Sequence, residues 1–342
     1  MSKAKGVFYG ILSSATFGLI PLFALPALKA GIGINSVLFY RFAISALFLG
    51  IVLALKRYDF RLKAKELGVL TVLGIFYGMT AILLTTSYLY IPSGIATTVH
   101  FLYPVIVTVT MILFFHERVS IPLVAAIFMA IGGVYLLSSG GSGEVINPKG
   151  IMIVLVTVFT YAFYIVGVNK SRVSDMDGLK LTFYVLLVGS VVFGLNLMLR
   201  GEALDVEMDL STAVHLLLLA IVPTVVSDFT LVLAVQNVGS TITAVLGCME
   251  PLTAVIMGVL VFHENLTITQ VIGMAVVLIA VIAVIISNRS HSADTNSGST
   301  SGNALDNALD NAHGKTLGNA SGKTLAQELA DDILPPETPS EK

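Results

Sequence analysis

Apolar and polar residues follow one another in this chain as long blocks. Ten apolar runs, near 6–28, 34–55, 67–89, 94–115, 120–138, 150–169, 179–199, 211–235, 240–262 and 267–287, are separated by polar connectors. About 20 apolar residues in an α-helix span a bilayer. Each run therefore predicts a spanning helix, and the expected fold class is an all-α integral membrane protein with ten transmembrane helices. The connectors at 116–119 and 263–266 are short, but a helix continued through their His-Glu pairs would carry charge into hydrocarbon, which is costly.

The blocks also repeat. Residues 103–121 (YPVIVTVTMILFFHERVSI) align without a gap on 250–268 (EPLTAVIMGVLVFHENLTI), so that Pro104, Phe115, His116, Glu117 and Ile121 fall on Pro251, Phe262, His263, Glu264 and Ile268. The 147-residue offset crosses five runs, an odd number, so equivalent helices run in opposite directions through the bilayer. The expected organisation is two inverted five-helix repeats, 1–138 and 139–287, followed by a polar tail, 288–342, expected to be disordered and cytoplasmic. Inverted repeats suit secondary transporters, whose halves close alternately around a midplane site. Pro104 and Pro251 each remove a backbone donor within a run and are candidate hinges; a static packing kink is the alternative.

Composition agrees with the membrane class: 56% of residues are hydrophobic, 12% are charged and the mean hydropathy is +0.90. The net charge of -2 hides a segregation. With the N-terminus inside, the inner segments carry Lys3, Lys5, Lys56, Arg57, Arg61, Lys63, Lys65, Arg118, Lys170, Arg172, Lys180 and Arg289, and the outer ones Lys29, Lys149 and Arg200. That bias predicts a multi-pass protein of the plasma (inner) membrane with both termini cytoplasmic. The first run is too long for a signal-peptide core, and its Gly6, Thr16 and Phe17 recur as Gly150, Thr160 and Tyr161, so it reads as a retained helix. Cys248 is the single cysteine, which excludes an internal disulfide. The Gly-Lys-Thr echoes in the tail lack the upstream glycine of a phosphate loop, since Leu309 and Leu317 stand there. No nucleic-acid footprint is present, and no cofactor is expected.

Candidate chemistry is confined to a few polar residues inside the runs. Arg41, His100, Asp228 and Glu250 are ionisable, and an ionisable group in a membrane helix is a functional candidate by default. At 1.5 Å per residue, Glu250 lies about 15 Å from the inner face and its repeat equivalent Tyr103 about 14 Å from the outer one. Glu250 can meet a cationic group or carry a proton. Asp228 sits nearer the inner face, where satisfying backbone is the alternative; His100 can face a cavity or serve packing. Arg41 reads chiefly as structural, snorkelling outward or pairing with an acid. Tyr77, Tyr103, Tyr161 and Tyr164, with Thr16, Thr80 and Thr160, offer aromatic faces and hydroxyls suited to organic molecules, or else interhelical hydrogen bonds. The His-Glu pairs end on opposite faces, which excludes one shared metal site, and Ser120 and Thr267 are placed as helix caps. Gly6/Gly10 and Gly74/Gly78 fit Gly-x-x-x-Gly, which leaves a homodimer open. The expected partners are a small-molecule substrate, the lipid bilayer and a proton or other coupling ion. An intramembrane enzyme or receptor on the same scaffold is the competing class, but no recognisable zinc-ligand spacing is visible.

YIPSGIATTVHFLYPVIVTVTMILFFHERVS at 90–120, its echo QNVGSTITAVLGCMEPLTAVIMGVLVFHENLT at 236–267, YRFAISALFL at 40–49 and Glu250-Pro251 together resemble the drug/metabolite transporter superfamily, specifically its ten-helix EamA-type members. The resemblance covers about residues 6–287. It implies export or exchange of small metabolites, such as amino acids or amines, through a cavity lined mainly by the first, third, fourth, sixth, eighth and ninth helices. By motif position it carries over to Arg41, Pro104, Glu117, Glu250, Pro251 and Glu264. Tyr103 stands where the family often has Glu before Pro, so a symmetric acidic pair is absent.

Overall fold

A computed structural model describes residues 3–91, 93–117, 120–138, 147–262 and 267–283, and every regular element among them is helical. These residues all lie in a unit spanning Met1–Ser287; the tail, with the disorder expected of it, and the pair His263 and Glu264 lie outside the described residues. In chain order the helices are α1 (Lys3–Phe17), α2 (Ile20–Lys29), α3 (Ile34–Leu55), α4 (Ala64–Ser87), α5 (Ser93–His100), α6 (Tyr103–Phe115), α7 (Ile121–Ser138), α8 (Pro148–Lys170), α9 (Gly178–Arg200), α10 (Leu210–Ala220), α11 (Ser227–Val238), α12 (Ser240–Leu246), α13 (Met249–Phe262) and α14 (Ile268–Ala283). A π-helical turn, Ile221–Val226, joins α10 to α11. Among the described residues six helical stretches are long and apolar enough to cross a membrane: Lys3–Lys29, Ile34–Leu55, Ala64–Ser87, Pro148–Lys170, Gly178–Arg200 and Leu210–Val238.

The interruptions have one physical cause. A proline cannot donate to the carbonyl four residues back, and its ring crowds that carbonyl. Pro21, Pro104, Pro223 and Pro251 would have bonded Phe17, His100, Leu219 and Gly247, and the preceding helices end at Phe17, His100, Ala220 and Leu246. Pro26 lies inside α2 without ending it, so the missing donor permits a break and the surroundings decide. The expected kinks at Pro104 and Pro251 are therefore full breaks: each proline sits in the first turn of a new helix, where its missing N–H costs nothing. The run expected at 6–28 is likewise two helices, parted at Gly18 and Leu19.

Packing brings these breaks together. α1 lies along α11 and touches α12 and α13, α3 packs on α9, and α4 and α6 pack on α8. A side chain at Gly18 would meet the Glu250 carbonyl and Cβ of Thr253, and one at Gly247 would meet the Tyr103 hydroxyl, so glycine allows backbone to approach at both places. Gly6 seats against Asn237 and Val238, and Gly74 against Val188, so these two glycines serve contacts within the chain. Outside the spans, Asp209 caps α10 by accepting from the Thr212 N–H at 3.1 Å, and hydrogen bonding by Thr212 holds the Asp209 carboxyl below its usual range. Thr267 caps α14 by accepting from the Gln270 N–H at 3.2 Å.

Candidate functional site

The chemistry starts from an orphaned carbonyl. Pro223 leaves Leu219 without its helical donor, and the Thr224 hydroxyl donates to that oxygen at 2.8 Å. Thr224 Oγ1 in turn accepts from Nε of Arg41 at 2.7 Å, and Nη2 of Arg41 donates to the Tyr77 hydroxyl oxygen at 3.3 Å. The Tyr77 hydroxyl then donates to Oδ1 of Asp228 at 2.7 Å. Arg41 is 3% exposed and lies 5.7 Å from the ring centre of Phe17 and 5.6 Å from that of Phe42. A buried guanidinium thus reaches a buried carboxylate through a phenol, with aromatic faces completing its surroundings. Ser227, beside Asp228, ties the π-turn to α1 by donating to the Ser13 carbonyl at 2.9 Å.

An aromatic stack extends from this relay to the two other breaks. Tyr77 and Tyr164 stack at 5.0 Å, Tyr164 and Tyr161 at 6.1 Å, and Tyr161 meets Tyr103 edge-on at 4.7 Å and Phe17 at 6.2 Å. His100, the last residue of α5, packs 5.2 Å from Tyr161 and 5.4 Å from Tyr103. Its Nδ1 is 2.7 Å from the Thr157 hydroxyl, whose own proton goes to the Val154 carbonyl at 2.6 Å. Thr157 must therefore accept, so Nδ1 carries the proton and Nε2 is a bare acceptor. Glu250, in the first turn of α13, is 8% exposed, and its carboxylate makes no hydrogen bond or ion pair among the described residues.

Most of the residues singled out from the sequence meet here: Tyr77, Asp228, Tyr161, Tyr103 and His100 form one cluster, and the Glu250 N–H bonds to the carbonyl of Gly247, against which the Tyr103 hydroxyl packs. Asp228 bonds a tyrosine side chain, not the free backbone that was the alternative for it. Thr16 stands apart chemically, because its hydroxyl lies 2.8 Å from the Leu12 carbonyl and 2.9 Å from that of Ser13, both in its own helix. Thr80 and Thr160 pair with each other across α4 and α8 at 2.7 Å. Arg41 does not snorkel; it is central to the relay. Thr224 and Phe17 were not anticipated, although Thr after Pro in the eighth run was a visible signal for a filled carbonyl. At one end of the molecule His116 closes α6 in a left-handed conformation, φ 52°, and Glu117 lies 4.0 Å from Nζ of Lys170 and accepts from the Thr241 hydroxyl at 3.4 Å.

The model of the EamA-like transporter family matches this chain twice, at residues 4–139 and 148–286. The chain belongs to the EamA-like transporter family. An uncharacterized transporter of Archaeoglobus fulgidus is 26% identical over 246 residues, covering 72% of this chain and 86% of that protein. A solved crystal structure aligns with a TM-score of 0.73 over 84% of this chain and 99% of the other at 16% identity, a likeness that speaks for the fold alone. This EamA-like protein is thus a multi-pass membrane transporter built on a two-repeat helical domain. Family and relative alike point to transport in place of catalysis.

Proposed function

We propose that this EamA-like protein is a secondary transporter of small organic metabolites, such as amino acids or amines, exporting or exchanging them across the inner membrane by alternating access. In this reading ten spans form two inverted repeats, 1–138 and 139–287, with both termini and the tail cytoplasmic. α1 with α2, α5 with α6, α10 with α11 and α12 with α13 each act as one interrupted span. The substrate binds among Glu250, Asp228, Tyr103, Tyr161, Tyr77 and His100, with Arg41 as the fixed cation. Pro104 and Pro251 set the hinges, and a proton or other ion couples through the carboxylates.

One observation carries the reading. The helix breaks before Pro104 and Pro251 recur at the same place in the two matched halves, and at the second stands a buried carboxyl with no hydrogen bond or ion pair among the described residues. Interrupted helices in corresponding positions mark transporter binding sites, because freed backbone groups and buried polar side chains need a cavity or a ligand there. The test is exchange in proteoliposomes loaded with mixed amines and amino acids. Glu250→Gln should lower the exchange of the accepted solute at least ten-fold while insertion and thermal stability persist. Exchange unchanged across pH would remove Glu250 from the site.

A further inference from the structure

Among the described residues, the site leaves buried acceptors without donors. Among the described residues, His100 Nε2, with His100 1% exposed, is a bare acceptor because Nδ1 holds the ring proton, and Oδ2 of Asp228, also 1% exposed, meets no donor. The Glu250 carboxylate adds further unpaired acceptors. The other unpartnered buried atoms among the described residues are the hydroxyls of Tyr164 and Ser240, which can donate or accept; neither is a cation. The Arg41 guanidinium is already engaged by Thr224, Tyr77 and the faces of Phe17 and Phe42. Two carboxyl groups, Asp228 and Glu250, share the one guanidinium of Arg41. Unmet buried acceptors are costly, and they are satisfied only by N–H or O–H groups.

From this we infer that the site takes a hydrogen-bond-donating organic cation, a primary ammonium or guanidinium on an apolar or aromatic body, whose N–H groups meet Glu250, Asp228 and His100. The inference rests on the transporter reading and narrows its substrate class. The walls fit the body, since Tyr161, Tyr103 and Phe17 present apolar faces beside the acceptors. A quaternary ammonium supplies charge without N–H and leaves the acceptors unmet. A carboxylate of the same shape brings a further acceptor to a site whose carboxyls already outnumber its cation.

Three probes with one body and different heads separate these cases: phenethylamine, its N,N,N-trimethyl derivative and 3-phenylpropionate. They are titrated by calorimetry into the purified full-length protein. The primary amine should bind at least ten-fold more tightly than the trimethyl derivative, with no measurable binding of the carboxylate. His100→Phe, which keeps the ring and loses Nε2, should weaken the amine several-fold and leave the trimethyl derivative unchanged. Glu250→Gln should weaken both cations. Equal or tighter binding of the trimethyl derivative or the carboxylate, or no binding of any probe, overturns the inference. In the first two of those outcomes continued dependence on Glu250 preserves the transport site. Amine binding indifferent to both substitutions overturns the inference and places the ligand elsewhere.

Discussion

Arg41 shows how a single residue is fixed by its surroundings. An unpaired cation in a membrane helix is expensive, and here the cost is offset by Thr224, Tyr77 and two aromatic faces, with Asp228 supplying the opposite charge through Tyr77. Arg41→Lys keeps the charge but loses the planar fork that bonds Thr224 and Tyr77 together. It should lower exchange at least ten-fold in proteoliposomes while the protein still inserts. Asp228→Ala leaves the cation without its carboxylate and should destabilise the protein by about 3–5 kcal/mol, the scale of a broken buried charge pair, read as a lowered unfolding temperature in detergent. The sequence made Asp228, Glu250, His100 and the tyrosines visible because polar residues are rare inside apolar runs. It undervalued Arg41 because depth along a helix does not say which way a long side chain turns. The bonding of Thr16 was hidden for a related reason: a helical threonine can bond its own backbone, and spacing cannot exclude that.

At the scale of the helix, prolines decide where chain polarity enters the apolar interior. The ten apolar runs and the repeat were legible because both are written in residue order. The breaks were legible only in part, since Pro26 has the same local chemistry as Pro21 and leaves α2 unbroken. Pro223→Ala tests the account of the π-turn. It restores an N–H for the Leu219 carbonyl, frees Thr224 and removes the ordered acceptor of Arg41. Thermal stability should hold or rise while exchange falls, the trade expected where strain serves function. Gly247→Ala should behave differently: the added methyl meets the Tyr103 hydroxyl, so both stability and exchange should drop. Tyr103→Phe in the same chain should recover part of the stability, as measured by thermal unfolding.

Over the whole molecule, the two family-matched halves place corresponding breaks beside one cluster, while the chemistry at the breaks differs: Tyr103 in one half, Glu250 in the other. In the proposed mechanism the shared breaks supply common mechanics, and Glu250 adds to one break a carboxyl that the other lacks. Glu117, Lys170 and Thr241 join the ends of α6 and α8 to the start of α12, and in the proposed alternating access this contact would serve as a latch for one face. An exposed ion pair adds little stability, so Glu117→Gln should leave the unfolding temperature within about 2 °C while changing the exchange rate, a pairing that separates a gate from a structural brace.

Alternating access is tested most directly by labelling from each side. In a chain with Cys248 replaced by Ala, Tyr103→Cys is exposed to a membrane-impermeant maleimide on one face of sealed vesicles at a time. The account predicts labelling from both faces. It further predicts that a short thiol cross-linker joining Glu117→Cys to Lys170→Cys, applied before Tyr103→Cys is probed, abolishes labelling from the latched face and spares the other. Labelling from one face only, or from both faces after cross-linking, would contradict it.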